Sequence, residues 1–211
     1  MFPVDYIYGD TRLKILLTRN ELLHRLEKIL LSNPIYIEST DNSLAYSSVL
    51  VIIHYRYDTP HIILTKRSSS VRVHSGEVCF PGGRFDRFED RNLLDTAIRE
   101  TQEELGLKLN ARDINGCLQP VRTLTSNFLI YPFVSINQTV PWPVISSREV
   151  ERIIDAPLYE VLDSISADHR NSNTTSNSEL YKFKFENDIV WGATSRILKQ
   201  LHDHLYEKNN V

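Results

Sequence analysis

The apolar positions of this chain change period several times, and each change marks an element. From Leu13 to Leu31 the run LKILLTRNELLHRLEKILL places Leu16, Leu23, Leu26 and Leu30 at helical spacing. This predicts an amphipathic helix packed over a core edge rather than laid on a membrane. Ser32 to Pro34 ends it, and a polar connector runs to about Ser43. SSVLVIIHY (47–55) and HIILTKR (61–67) flank Asp58-Thr59-Pro60, which predicts a β-hairpin with buried centres. Leu94, Ala97, Ile98 and Leu105 then give one apolar side to a helix whose acidic side is expected to point away from the core. INGCLQPV (114–121) and FLIYPFVSI (128–136) are strand-like, and Pro141 and Pro143 break the chain after them. Within REVERIIDAPLYEVLD (148–163), Pro157 separates a strand from a short helix. Residues 167–179 are polar and low in complexity, the composition of a mobile loop. Tyr181, Phe183 and Phe185 alternate with polar residues as in a half-buried strand. A helix from about Gly192 closes the chain, with Ile197, Leu198, Leu201 and Leu205 inward. Strands, a helix, strands and a helix make a mixed α/β layered domain over 44–211, preceded by a helix and connector over 1–43.

Composition narrows the partners. The 211 residues carry a net charge of −3, which provides no basic field for a phosphate backbone, so nucleic-acid binding is not expected. The longest apolar run, SVLVII (48–53), is a strand's length and predicts no membrane span. Cys79 and Cys117 lack C-x-x-C spacing and read as free thiols, Cys79 as a small buried hydrophobe rather than a nucleophile. Asp5, Asp10 and Glu21 interrupt any signal-peptide pattern, and Asn137 and Asn173 then open N-x-T triplets by accident. The seven histidines are scattered, with His202 and His204 read as surface residues. P-loop, zincin, nucleophile-elbow and dinucleotide motifs are absent.

One stretch carries chemistry. Residues 80–107 read FPGGRFDRFEDRNLLDTAIRETQEELGL. On a helix, Glu100 lies beside Glu103 and Glu104 one turn on, and Gly106 suits the left-handed residue that ends helices. Carboxylates gathered on one arc repel unless a positive charge sits between them, and hard divalent cations prefer such oxygens. By itself an E-x-x-E-E run is most often a solvated face. The preceding Pro81-Gly82-Gly83, expected as a tight turn whose backbone carbonyls can approach a ligand, turns the balance toward a site.

The segment from Gly83 to Leu107 resembles the Nudix box of the Nudix hydrolases. The R-E-x-x-E-E-x-G-apolar end of that signature is intact from Arg99 through Leu107. The box glutamate falls at Glu89, yet nine residues rather than seven separate it from Arg99, so Glu89 and Asp90 both stand as the upstream acid. Leu64, Thr65, Arg67, Ser68, Arg72, His74, Gly76 and the run Phe80 to Gly83 are in step with the signature of the coenzyme A pyrophosphatase branch. Weaker likenesses at 147–158 and 190–198 extend the resemblance over about 44–203. The resemblance implies a Nudix-type α/β/α sandwich with a mixed β-sheet. It further implies metal-dependent cleavage of the coenzyme A or acyl-CoA diphosphate to 3′,5′-ADP and a 4′-phosphopantetheine moiety. Glu100, Glu103 and Glu104 would hold Mg²⁺ or Mn²⁺ with a backbone carbonyl of the Gly82-Gly83 turn, that of Gly83. Catalysis would rest on these three glutamates and Glu149, a candidate acid outside the box whose other reading is a solvated strand end. Substrate would be held by Arg67, Arg72, His74, Gly82 and Gly83, while Arg99 would pair with an acid and steady the loop over the helix. Other nucleoside diphosphate derivatives, ADP-ribose or NADH, and a catalytically silent nucleotide-binding module are the alternatives. Eukaryotic members of the branch are often peroxisomal, but EKNNV is not an S-K-L ending, so the compartment stays open. Whether the chain forms a homodimer stays open too.

Overall fold

The β1–β2 hairpin organises the chain. In the structure, a computed structural model, residues 17–31, 44–70, 74–124, 126–168 and 180–206 are described. Of the mobile loop expected at 167–179, all but Ala167 and Asp168 lies outside them, as do the connector to Ser43 and the start of the N-terminal helix, and Ala167 belongs to a short strand instead. Strands β1 (Ala45–Arg56) and β2 (Thr59–Arg67) pair antiparallel from Arg56↔Thr59 to Ile52↔Ile63. The turn is Tyr57-Asp58, both left-handed with φ of 47° and 63°, and not the expected Asp58-Thr59-Pro60. Two left-handed residues match the right-handed twist of the strands they join, so Pro60 enters β2 opposite Tyr55.

Beyond Ile52 and Ile63 the two strands splay, and the chain fills the gap. Strand β3 (Val78–Cys79) runs along β2, the backbone crosses at Phe80-Pro81, and β4 (Gly82–Arg84) runs along β1. The double glycine expected as a tight turn is therefore a short strand. A Cβ on Gly82 would stand 2.3 Å from the Ser48 carbonyl oxygen and 2.6 Å from Val49 Cα, so this pairing needs glycine.

The sheet continues from β1 to β7 (Phe128–Asn137), parallel over ten residues from Ala45↔Phe128 to His54↔Asn137. Short strands β5 (Gly116–Cys117) and β6 (Val121–Arg122) pair with β7, separated around Pro120, which has no N–H to give a ladder. On the other flank β8 (Val150–Pro157) pairs with β2 and runs directly into α3 (Leu158–Asp163), as the Pro157 break predicts. Strands β9 (Ser166–Ala167), β10 (Tyr181–Phe185) and β11 (Asp188–Val190) form a small second sheet.

Alternation along β1 and β2 divides the core into two layers. Leu50, Ile52 and Ile63 face helix α2 (Leu93–Leu105) through Leu93, Leu94, Ala97 and Leu105. Val51, Ile53, Ile62 and Leu64 face the opposite layer, built from α3, helix α4 (Gly192–Tyr206) and helix α1 (Arg19–Leu26). Helix α1 is shorter than its leucine pattern: Thr18 caps it in a reciprocal box with Glu21 and it stops before Glu27. Leu22 and Leu26 are fully buried, each worth about 1.5–3 kcal/mol, so the helix sits over the core edge. The result is an α/β/α sandwich with a mixed sheet.

Candidate functional site

Helix α2 is fixed at both ends. The Asn92 side chain accepts from the Asp95 amide at its start, and Gly106 closes it in the left-handed region with φ 64°. Two carbonyls of its last turn are taken by a neighbouring segment: Val144 N–H donates to Leu105 O and Ser146 N–H to Glu104 O, both at 2.9 Å. Ser48 Oγ donates to Leu93 O at 2.7 Å and ties the first turn to β1.

The acidic side of this helix does not simply face water, as the sequence led us to expect. Strand β4 lies along it, and glycines leave the space that its carboxylates enter. A Cβ on Gly83 would stand 2.3 Å from Glu100 Cδ and 2.4 Å from its Oε1, so the Glu100 carboxylate rests where a side chain would be. Glu104 is only 6 % exposed and accepts from Gly82 N–H at 3.2 Å. Glu103, further round the helix, stays exposed. Burial pushes the Glu104 carboxyl up to about 7 despite the Gly82 bond, and burial likewise raises Glu100 against the pull of Arg99.

Arg99 supplies part of the positive charge that the carboxylate arc requires. Its Nη1 donates to Glu100 Oε1 at 3.0 Å and approaches Glu103 at 3.3 Å. Its Nε and Nη2 make a forked pair with Asp90 at 2.9 and 3.0 Å, whereas exposed Glu89 lies 3.5 Å off. The choice between the two upstream acids falls to Asp90. Burial works to raise the Asp90 carboxyl, but the Arg99 bonds, the Asp86 amide and Thr96 outweigh it and hold it below the ordinary range. The same pairing raises Arg99, so the guanidinium stays charged.

Arg67 and Glu149 meet at the open side of the cluster. Arg67 Nη2 donates to Glu149 Oε2 at 2.9 Å, and Ser68 N–H donates to Glu149 O at 2.7 Å where the β2–β8 register shifts after Lys66. Both charges act on Glu104, Arg67 lowering and Glu149 raising its carboxyl. Arg67 Nε is buried without a hydrogen-bond partner. Thus Glu100, Glu103, Glu104, Gly82, Gly83, Arg67 and Glu149 converge. His74 does not join them by any described contact: it sits at φ 60° in the β2–β3 loop with Nδ1 3.0 Å from Glu77 Oε1. Arg72 lies outside the described residues. Burial raises the Cys79 thiol, in keeping with an inert role.

The donors suit a hard divalent cation. They are all carboxylate oxygens, and two of them are destabilised by burial in the charged form that a cation would favour.

One grouping escaped the sequence. His54, His61 and Asp155 meet on the α2 side of the sheet, although the histidines read as scattered. Counting back from the hairpin turn would have paired His54 with His61, since they face each other in register. Nothing local pointed to Asp155, more than ninety residues on, which reaches them through β8.

Known proteins share both sequence and architecture with this chain. The NUDIX domain family matches residues 47–164. The uncharacterized Nudix hydrolase NudL of Salmonella newport is 31% identical over 186 residues, covering 87% of this chain and 94% of its own length. Among solved structures, the NUDIX domain of Shewanella oneidensis NrtR, complexed with ADP ribose, aligns with a TM-score of 0.56 at 16% identity, over 81% of this chain and 94% of that domain. A MutT protein from Methanosarcina mazei Go1 aligns with a TM-score of 0.54 at 19% identity, over 81% of this chain and all (100%) of that one. At such identities the structures speak for the fold, and the family match with the NudL relationship speaks for descent. The chain belongs to the Nudix hydrolases, enzymes that act on pyrophosphate bonds and generally use divalent metal ions.

Proposed function

We propose that this Nudix hydrolase cleaves the diphosphate of coenzyme A or its thioesters, giving 3′,5′-ADP and a 4′-phosphopantetheine moiety. The observation that carries the reading is the run from Leu64 to Gly83, similar to the coenzyme A pyrophosphatase signature, whose Arg67 charge acts on the buried Glu104 carboxylate.

Glu100, Glu103 and Glu104, with the Gly83 carbonyl, would hold Mg²⁺ or Mn²⁺. When bound, the metal supplies charge neutralisation at the diphosphate oxygens and polarises water. The remaining work belongs to the chain. Arg67, with its planar fork, takes a phosphate oxygen in place of Glu149, and Arg72 and His74 would add donors for the other phosphates. An anionic phosphate competes with Glu149 for Arg67, which frees the Glu149 carboxylate to accept a proton from the attacking water. Water forms the new bond to phosphorus, and the leaving phosphate departs with the electron pair of the bridging bond. Arg99, tied to Asp90, positions Glu100 without reaching substrate.

The test is a substrate panel with Mg²⁺ and with Mn²⁺: coenzyme A, dephospho-coenzyme A, ADP-ribose and NADH. Coenzyme A should give the highest kcat/KM, and Arg67→Lys should raise KM more than it lowers kcat. A clear preference for ADP-ribose or NADH would move the assignment to another nucleoside diphosphate derivative, and binding without product would identify a silent module.

A further inference from the structure

We propose a second metal site, distinct from the carboxylate cluster, in which His54, His61 and Asp155 bind a borderline transition metal such as Zn²⁺. The three side chains come from three adjacent strands. His54 on β1 faces His61 on β2, and Asp155 on β8 pairs with Ile63, two residues along β2 from His61. Alternation from Leu50 and Ile52, from Ile63 and from Ile153 puts all three on the α2 side of the sheet.

The geometry is that of a ligand set. His54 Nε2 lies 2.9 Å and His61 Nδ1 3.1 Å from the same Asp155 Oδ1, and all ligand atoms fall within 4.8 Å of one another. Bonds of about 2.0–2.2 Å from zinc to nitrogen and oxygen need separations only a few tenths of an ångström longer than the two histidine distances to Asp155. Three protein ligands leave the fourth position of a tetrahedral ion for water. The supports are in place as well: Arg56 Nη1 holds the other carboxylate oxygen, Oδ2, at 3.0 Å and lies over the Trp142 ring. Asp155 is held below the ordinary carboxylate range, with its donors outweighing burial, and burial keeps His61 below the ordinary imidazole range. Among the described residues Arg56 is the further charge paired with Asp155, and by staying on Oδ2 it leaves Oδ1 to the metal.

The two sites differ in the metal they select. Imidazole nitrogens favour zinc, copper or nickel, whereas the all-oxygen cluster on α2 favours magnesium or manganese. From Ser48, where Gly83 pairs, to His54 is six residues of β1, or about 20 Å, so the second site is too far to share a metal-bound phosphate with the carboxylate cluster. A metal there would cross-link the hairpin to β8, the strand that follows Glu149.

Calorimetric titration of the full chain with Zn²⁺, in excess Mg²⁺ to occupy the carboxylate cluster, tests this. One equivalent should bind, and His61→Gln and Asp155→Asn should each weaken it by more than about 100-fold. Glu103→Gln should bind the same equivalent, which keeps the outcome separate from that of the proposed hydrolase. Co²⁺ in place of Zn²⁺ should give visible absorption of tetrahedral character that is lost in His61→Gln, with the fold of each variant checked by near-ultraviolet circular dichroism. No micromolar zinc uptake by the parent chain, or an equivalent that persists unchanged in a folded His61→Gln, would overturn the assignment.

Discussion

Two ends of one face of the same sheet each bury a carboxylate, and they balance it in opposite ways. At the α2 end Glu104 has a single backbone amide at 3.2 Å, and its carboxyl rises to about 7. At the hairpin end Asp155 has His54, His61 and Arg56 within 3.1 Å, and its carboxyl falls. Burial penalises the charged form at both, so the difference lies in what the chain itself provides. In the proposed reading, the first end is built around a cation that comes from outside. The second is complete as a hydrogen-bonded network, and a metal there adds to it without being required.

Substitutions can break this contrast. Glu103→Gln or Glu104→Gln should cost about 4 kcal/mol of transition-state stabilisation, roughly 1,000-fold in kcat with Mg²⁺, while the melting temperature holds. Full Mg²⁺-dependent turnover in either would refute the metal assignment. The glycine pair should respond in two different ways. Gly82→Ala meets backbone at 2.3 Å and should prevent soluble expression or lower the melting temperature steeply. Gly83→Ala meets only the end of the Glu100 side chain at 2.3 Å, which can swing aside, so it should fold and lose activity by about 10–100-fold.

Asp90 sharpens the comparison from the acid side. Its folded carboxyl is depressed, so the stability it contributes is present above the ordinary aspartate range and is lost as pH falls through the folded value. Asp90→Asn should therefore cost about 2–3 kcal/mol at neutral pH and flatten the acid limb of a melting-temperature profile. It should also reduce kcat by about 10–100-fold by loosening Arg99. The smallest effect belongs to the hairpin end, where His61→Gln without zinc should leave kcat within about twofold, measured with Mg²⁺.

Much of this was legible in the sequence because it depends on local periods. The helix ending at Gly106, the Pro157 break and the closing helix all follow from neighbours within one or two turns. The splay between β1 and β2 was not legible, because it requires knowing that Val78 to Arg84 enters the gap. That same gap is why Gly82-Gly83 is a strand and why Glu104 is buried rather than displayed. Asp90 and Glu89 could not be ranked by spacing, since the choice depends on which of them the loop turns inward. The pairing of Asp155 with two histidines was hidden for a similar reason: its partners are set by strand order, not by sequence distance.

The segment from Val144 to Glu149 has a mechanical consequence. Its amides are fastened to the last carbonyls of α2, one of them that of Glu104, and three residues beyond Ser146 it presents Glu149. The inner and outer acids therefore hang on one lever. The Ser68 amide holds the Glu149 carbonyl to β2 at the same time, so the spacing between the α2 carboxylates and the proposed proton acceptor is set by backbone hydrogen bonds on both sides of the segment.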